Sequence, residues 1–234
     1  MDKPLHTTRF PGESDQYRRA RDELLQAEIE LRRSGEMVAA QRRTLPLGGE
    51  VPTDYVFKAA TDEGGTREVR MSELFADGKD TLYLYSFMFI ADADGVPLAA
   101  ACPACTSIID GLDGEAPHIS QQVNIAISAK APIEQLREHA RRRGWRHIRL
   151  LSSANSTYNH DYNAETPDGS QRPVASVFVR RDGKIHHFWS SELAFAPSDP
   201  GQHPRHVDYM WPAWNVLDTT PGGRGDWKPQ LQYG

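Results

Sequence analysis

Both cysteines of this 234-residue chain fall inside one short run, Cys102-Pro103-Ala104-Cys105. Thiols at that spacing can hold half of a zinc site, sit inert in a core, or form and break a disulfide. A structural zinc needs further ligands, and His118, His160, His186 and His187 lack the paired spacing that would provide them. The inert pair stays open on spacing alone. Redox chemistry makes the most use of the run. Pro103 suits the first position of a helix, which puts Cys102 at the helix N-terminus, where the dipole stabilises a thiolate and lowers its pKa to roughly 7 or below. Cys105 lies one turn further in, close enough to attack a mixed disulfide on Cys102 and more shielded, as suits a resolving thiol. Pro103 stiffens the turn. Ala104 offers neither a charge nor a hydrogen bond to the thiolate, so a reducing-to-intermediate potential is expected.

A site of this kind needs a strand that ends beneath the helix N-terminus. Residues 81–89, Thr-Leu-Tyr-Leu-Tyr-Ser-Phe-Met-Phe, are nearly continuously apolar, as a central strand covered on both faces must be. An acidic loop, residues 91–97, leads to the cysteines. Residues 123–127 then predict a buried strand, Pro132-Ile133 opens a helix that Gly144 stops after Arg143, and residues 145–151 predict another strand. Strand, helix, strand, helix, strand in this order calls for a parallel core with right-handed crossovers. Residues 174–179 and 184–189 flank Arg180-Arg181-Asp182-Gly183, whose Asp-Gly pair predicts an antiparallel hairpin. The sum is an α/β, thioredoxin-like domain: a central mixed sheet flanked by helices, with Cys102-Pro103-Ala104-Cys105 opening a helix inside a βαβ unit.

Three further residues enter the candidate site by their place in the chain. Pro173, just before the antiparallel pair, stands where a cis proline would lie against the dithiol; a proline that merely starts a strand reads equally well. His160 and Asp161 follow a parallel strand at the sheet end where ligands usually bind, and could assist proton transfer near Cys102. His186 and His187 alternate faces, so at most one points inward. Trp189, Trp211 and Trp214 are read as packing residues.

Residues 1–50 form an N-terminal helical extension, 51–196 the thioredoxin-like domain and 197–234 a C-terminal extension packed on it, with residues 210–217 as a short helix. Within the first segment, residues 14–43 predict a long helix capped by Ser14, whose narrow apolar stripe packs on the domain or against a second copy. Residues 55–57 and 67–71 are strand candidates, and Ser72 caps a helical turn over 72–75. A net charge of −5 with interspersed signs gives no general attraction for nucleic acid, and Arg141-Arg142-Arg143 complements a helix C-terminus. No apolar run approaches the ~20 residues of a membrane helix, and Met1-Asp2-Lys3-Pro4-Leu5-His6 does not read as an export signal, so cytoplasm is the expected location. No cofactor or metal is expected. The expected partner is a protein or small-molecule disulfide or thiol, and a homodimer through the N-terminal helix is a further possibility.

Several blocks, in order and spanning nearly the whole chain, resemble the bacterial thioredoxin-like proteins grouped as domain of unknown function 899: residues 83–89, Cys102 to Ser107 with Asp110-Gly111-Leu112-Asp113-Gly114, residues 176–180, and Leu217 to Arg224. The resemblance implies a thioredoxin fold and a dithiol-disulfide oxidoreductase with Cys102 and Cys105 at the matching positions, and it carries Pro103 and Thr106 with them. It supplies no substrate. More distantly the element order is similar to a peroxiredoxin, which would make Cys102 the sulfenic acid former and Cys105 its partner. That pattern, Pro-x-x-x-Thr/Ser-x-x-Cys, is not kept: Ala99 holds the Thr/Ser place and Gly95 the Pro place. A redox-sensing protein that uses the dithiol as a switch is the non-enzymatic alternative.

Overall fold

The computed structural model describes residues 5–61, 64–76, 78–91, 97–200 and 210–233, with backbone alone at 90, 91 and 97–100. The chain divides into two units, Met1–Pro46 and Leu47–Gly234. In the first, α1 spans Asp15–Arg43 and starts where Ser14 accepts the Tyr17 N–H on its side chain. Arg18 steadies the first turns by pairing with Glu13 and, one turn on, with Asp22.

The second unit runs β1 (Val56–Ala60), β2 (Thr66–Arg70), a 3-10 turn (Met71–Leu74), β3 (Thr81–Phe87), β4 (Phe89–Ala91), β5 (Pro97–Ala101), α2 (Pro103–Ile119), β6 (Asn124–Ala129), α3 (Ile133–Arg143), β7 (Arg149–Ser152), α4 (Tyr158–Asp161), β8 (Val174–Arg181), β9 (Lys184–Ser190), a second 3-10 turn (Glu192–Ala194) and α5 (Pro212–Leu217). The main sheet is ordered β2-β1-β7-β6-β3-β8-β9. Strands β3, β6 and β7 are parallel, and β8 and β9 add on antiparallel beside β3. A βαβαβ core with an antiparallel pair added next to its first strand, and the dithiol opening the first crossover helix, is a thioredoxin-like fold.

Strand β3 is nearly continuously apolar because it feeds two cores. Leu82 and Leu84 join Phe57, Tyr158 and Phe178 on one face, while Tyr85 and Phe87 join Cys105, Ile108 and Ile127 on the other. The β8–β9 hairpin turns at Asp182 and Gly183, both at positive φ, as the Asp-Gly signal requires. A register shift at Val177/Phe178 then changes which face β9 presents: Ile185 and His187 pack with the Phe57 core, whereas Trp189 packs with the Cys105 core. The segment just before β1 covers the β9 edge. Gly48 N–H donates to the His187 carbonyl at 2.9 Å, Gly49 returns its own carbonyl to His187 N–H, and Val51 N–H reaches Ile185. A Cβ on Gly48 would stand 2.7 Å from the His187 carbonyl oxygen, so only glycine fits that approach.

Several local expectations change. The first turn of helix after β2 is not capped by Ser72, which instead donates its N–H and hydroxyl to Asp54, while Glu73 accepts the Arg70 N–H. Residues 97–101, expected as the end of a loop and its approach to the cysteines, pair as β5 with β4 in a separate two-stranded sheet; the rest of the expected loop, 92–96, lies outside the described residues. Strand β7 begins only at Arg149, because the Asp113 carboxylate takes the N–H groups of Arg146, His147 and Ile148 at 2.8–3.0 Å and withholds them from any ladder.

That carboxylate joins α2 to the α3–β7 connection, and a neighbouring one repeats the device: Asp110 pairs with Arg143 and accepts the Trp145 Nε1–H at 2.7 Å. On the other flank of α2, Trp211 donates its Nε1–H to Ser107 at 2.8 Å and Pro212 packs over Gly111. Trp211 stacks on Trp214, and the Arg224 guanidinium covers Trp214 at 4.4 Å while pairing with Asp218. Burial works to raise the Asp113 pKa, but the three backbone N–H groups outweigh it and hold the carboxyl below its ordinary range. Its contribution is therefore present above the ordinary carboxylate pKa and lost as pH falls through the lower folded value. Asp113→Ala, which orphans those N–H groups, is expected to cost about 3 kcal/mol of stability in denaturant unfolding, with the deficit shrinking in acid.

Candidate functional site

Cys102 is the N-cap of α2 and Pro103 its first residue, the expected arrangement. Strand β5 delivers the chain to this point, and the Cys102 N–H closes onto the Met88 carbonyl at 3.0 Å, fastening the helix start to the end of β3. The Cys102 sulfur accepts the Cys105 N–H at 3.5 Å. Cys105 lies a turn below, 1% exposed, in the core with Tyr85, Phe87 and Ile108, whereas Cys102 is half-buried at the surface.

The two thiols are driven apart in acidity. The Cys105 S–H donates to the Cys102 sulfur; together with the backbone N–H groups of Cys105 and Ala104, and against the opposing effect of burial, it brings Cys102 down to about 6. Cys105 moves the other way, well above an ordinary thiol. Its bond to Cys102 comes first, followed by burial and by the neighbouring negative charge, while the Tyr85 hydroxyl and the Met88 N–H pull weakly in the opposite direction. The result is one thiolate at neutral pH, at the surface, above one protonated thiol in the core.

Thr106 belongs to this site structurally: fully buried, it donates its hydroxyl to the Cys102 carbonyl at 2.9 Å. Pro173 stands where the sequence put it, and of its two readings the backbone takes the plainer one, a proline that leads into a strand. Val174 pairs with Ser86, which brings Pro173 to the sheet end that carries Cys102, yet every peptide bond among the described residues is trans. Trans is the favoured isomer by about 0.5–1 kcal/mol, and here the approach to β8 is held without a cis bond. Arg172 N–H reaches the Ala164 carbonyl at 2.8 Å, and the Gln171 side chain spans from the Phe89 N–H at 3.0 Å to the Lys130 carbonyl at 3.3 Å.

His160 and Asp161 are not brought to the dithiol. They sit on α4, whose Tyr158 packs into the Phe57 core, across the sheet from Cys105. Asp161 accepts from the Tyr55 hydroxyl at 2.7 Å and from Thr157 at 2.8 Å, and faces the His160 ring. With Tyr162, His187, Ser190 and Glu192 it lines an open cavity of about 530 Å³ on that second face. The expectation failed because a position after a parallel strand selects an end of the sheet, not a face of it.

Two residues at the site were missed. Tyr85 reads in the sequence as one more apolar β3 residue, although its hydroxyl faces the Cys105 sulfur. His139 of α3 lies on the same helical face as Ile133, Leu136 and Ala140, and its ring stands 3.1 Å from the Thr106 hydroxyl. The spacing of His139 on an apolar face is its only sequence signal. Among the described residues no group of three or more His, Cys, Asp or Glu stands together as a metal site, and no helix is long and apolar enough to cross a membrane.

A family model described as "Bacterial protein of unknown function (DUF899)" matches residues 7–233. No curated protein matches the chain. Among solved structures the chain is similar to the reduced 2-Cys peroxiredoxin of Plasmodium vivax, at 16% identity and TM-score 0.45 over 74% of this chain and 96% of that one. It is also similar to the peroxidoxin BcpB of Mycobacterium tuberculosis, at 18% identity and TM-score 0.41 over 74% and 98%. The fold assignment rests on strand order and connections.

Alkylation measures the thiol asymmetry directly. The rate at Cys102 is expected to rise with pH through about 6 and to level off near neutrality, where an ordinary thiol would still be climbing. Cys105→Ala, which removes the largest stabilising contribution, should move that midpoint up by about one unit or more. Mass spectrometry should find the label on Cys102 and almost none on Cys105.

Proposed function

Since the chain belongs to the DUF899 family of bacterial proteins, whose name assigns no reaction, we propose from the site itself that it is a thiol-disulfide oxidoreductase. The observation that supports this reading is the opposed acidity of a partly exposed Cys102 and a buried Cys105 at one helix start. The Cys102 thiolate attacks one sulfur of a substrate disulfide, forming a mixed disulfide and expelling the other sulfur as a thiolate. Cys105 then loses its proton to the expelled thiolate or to water and attacks the Cys102 sulfur. That step releases the second substrate thiolate and leaves a Cys102–Cys105 disulfide. Two electrons have passed to the substrate, and a cellular dithiol returns them to the protein. The substrate is a protein or small-molecule disulfide, and the reaction needs no cofactor.

A thiol peroxidase would use the same two sulfurs: the Cys102 thiolate would take one oxygen from a hydroperoxide, releasing an alcohol or water, and Cys105 would condense with the resulting sulfenic acid to form the disulfide and release a water. Ala99 and Gly95, at the places where that chemistry is usually supported by Thr or Ser and by Pro, weigh against it.

The two readings separate in paired assays of insulin disulfide reduction and hydroperoxide consumption. Wild type is expected to accelerate the first, Cys102→Ser to abolish it, and Cys105→Ser to lose turnover while accumulating a mixed disulfide visible by mass. Consumption of hydroperoxide without disulfide reduction would replace the proposal with the peroxidase. Inactivity in both assays would remove both and favour a redox switch.

A further inference from the structure

Thr106 is fully buried and its hydroxyl carries one proton. A carbonyl oxygen only accepts, so the bond of 2.9 Å to the Cys102 carbonyl uses that proton. The same carbonyl receives the Thr106 N–H, also at 2.9 Å, as the first helical bond of α2. Facing His139 Nε2 at 3.1 Å, the Thr106 oxygen is therefore an acceptor, and Nε2 must carry a hydrogen. The order of donation runs one way, from His139 Nε2–H to Thr106 Oγ1 and from Thr106 Oγ1–H to the Cys102 carbonyl.

We infer that His139, acting through Thr106, is a positioning residue for Cys102. The inference rests on reading Cys102 as the nucleophile. His139 is held in place by Phe87, Phe89 and Trp145, with ring centroids 5.7, 5.9 and 5.3 Å away. Burial first, and then the nearby Arg143 charge, depress its affinity for a proton, so the ring is neutral at pH 7 and its bond to Thr106 specifies one tautomer. With the lone pair of Thr106 occupied, its hydroxyl hydrogen points at the Cys102 carbonyl. Two bonds to that carbonyl hold Cys102 at ψ 121°, the N-cap conformation from which the sulfur reaches the N–H groups of Ala104 and Cys105. Remove His139, and the buried Thr106 oxygen loses its donor and the hydroxyl is no longer held toward the carbonyl; remove the Thr106 hydroxyl, and the carbonyl keeps one bond where it had two.

The test is a thiolate titration of the full-length protein, read from the ultraviolet absorbance of the Cys102 thiolate and from its alkylation rate, neither of which requires turnover. Thr106→Val and His139→Leu are expected to raise the midpoint by about one unit and to slow alkylation near pH 6 by about fivefold. Thr106→Ser, which restores the hydroxyl, and His139→Gln, which restores a donor to it, should return both readings toward wild type. The double variant should shift no further than either single one, because both remove the same link. An unmoved midpoint in folded Thr106→Val overturns the inference, and so does a shift in the double variant equal to the sum of the two. Where His139→Leu fails to fold, His139→Phe, which keeps a ring but has no donor, takes its place beside Thr106→Val and Thr106→Ser: a wild-type midpoint in His139→Phe, or equal shifts in the two threonine variants, overturns the inference, and a raised midpoint with rescue by serine supports it. Loss of insulin reduction in wild type would overturn the proposed function and leave these shifts standing.

Discussion

A sulfur that accepts backbone N–H bonds at a helix N-terminus, with a second thiol fixed in the core one turn below, is the arrangement around which this domain is organised. It requires that α2 start at one point and nowhere else. The Met88 carbonyl fastens that start from below. The Asp110 and Asp113 carboxylates tie the middle of the helix to the α3–β7 connection, and Ser107 and Gly111 receive the C-terminal tryptophan and proline. Carboxylates that accept several N–H groups are strong, directional anchors, and they set a helix's position along its axis as well as its distance from the sheet. The run from Asp110 to Gly114 is thus tied to the dithiol physically, through the helix that carries both.

Much of this could be read from residue patterns because each pattern has one cheap structural answer. A near-continuous apolar run such as residues 81–87 fits a strand buried on both faces, Asp-Gly between β-rich segments fits a tight hairpin, and Pro after Cys fits a helix start. What escaped depended on distant partners. Residues 146–148 have strand-like texture, but their N–H groups belong to a carboxylate on another helix. His139 shares its stripe with apolar residues, and its partner lies 33 positions upstream across a helix contact. The strand at 97–101 is rich in alanine and lacks the alternation that would mark it.

His160 and Asp161 show a different kind of failure. Chain order does bring a segment to a sheet end, but β3 sends alternate side chains into two cores, and which core a following loop joins is decided by packing. Tyr158 joins Phe57 and Phe178, with Tyr55 and Tyr162 around it, and it carries the adjacent residues to that side. Pro173 is the converse case, a residue at the expected place whose local backbone is settled by its neighbours. Gln171 and Arg172 make their bonds with the peptide before Pro173 trans.

The raised acidity threshold of Cys105 stands, on its face, against the proposed role as resolving thiol, since a thiol that holds its proton does not attack. The causes remove the conflict. The largest one, its bond to the Cys102 sulfur, and the repulsion from the Cys102 charge both exist only while Cys102 is a thiolate. In the proposed cycle the first step turns that thiolate into a neutral disulfide sulfur, and both influences vanish. Burial still opposes ionisation, but the Tyr85 hydroxyl and the Met88 N–H remain as donors to the Cys105 sulfur. In that cycle the buried thiol would be restrained while Cys102 awaits substrate and would become more acidic once the mixed disulfide had formed. On the proposed mechanism, forming the bond on Cys102 is itself what would ready Cys105 to break it.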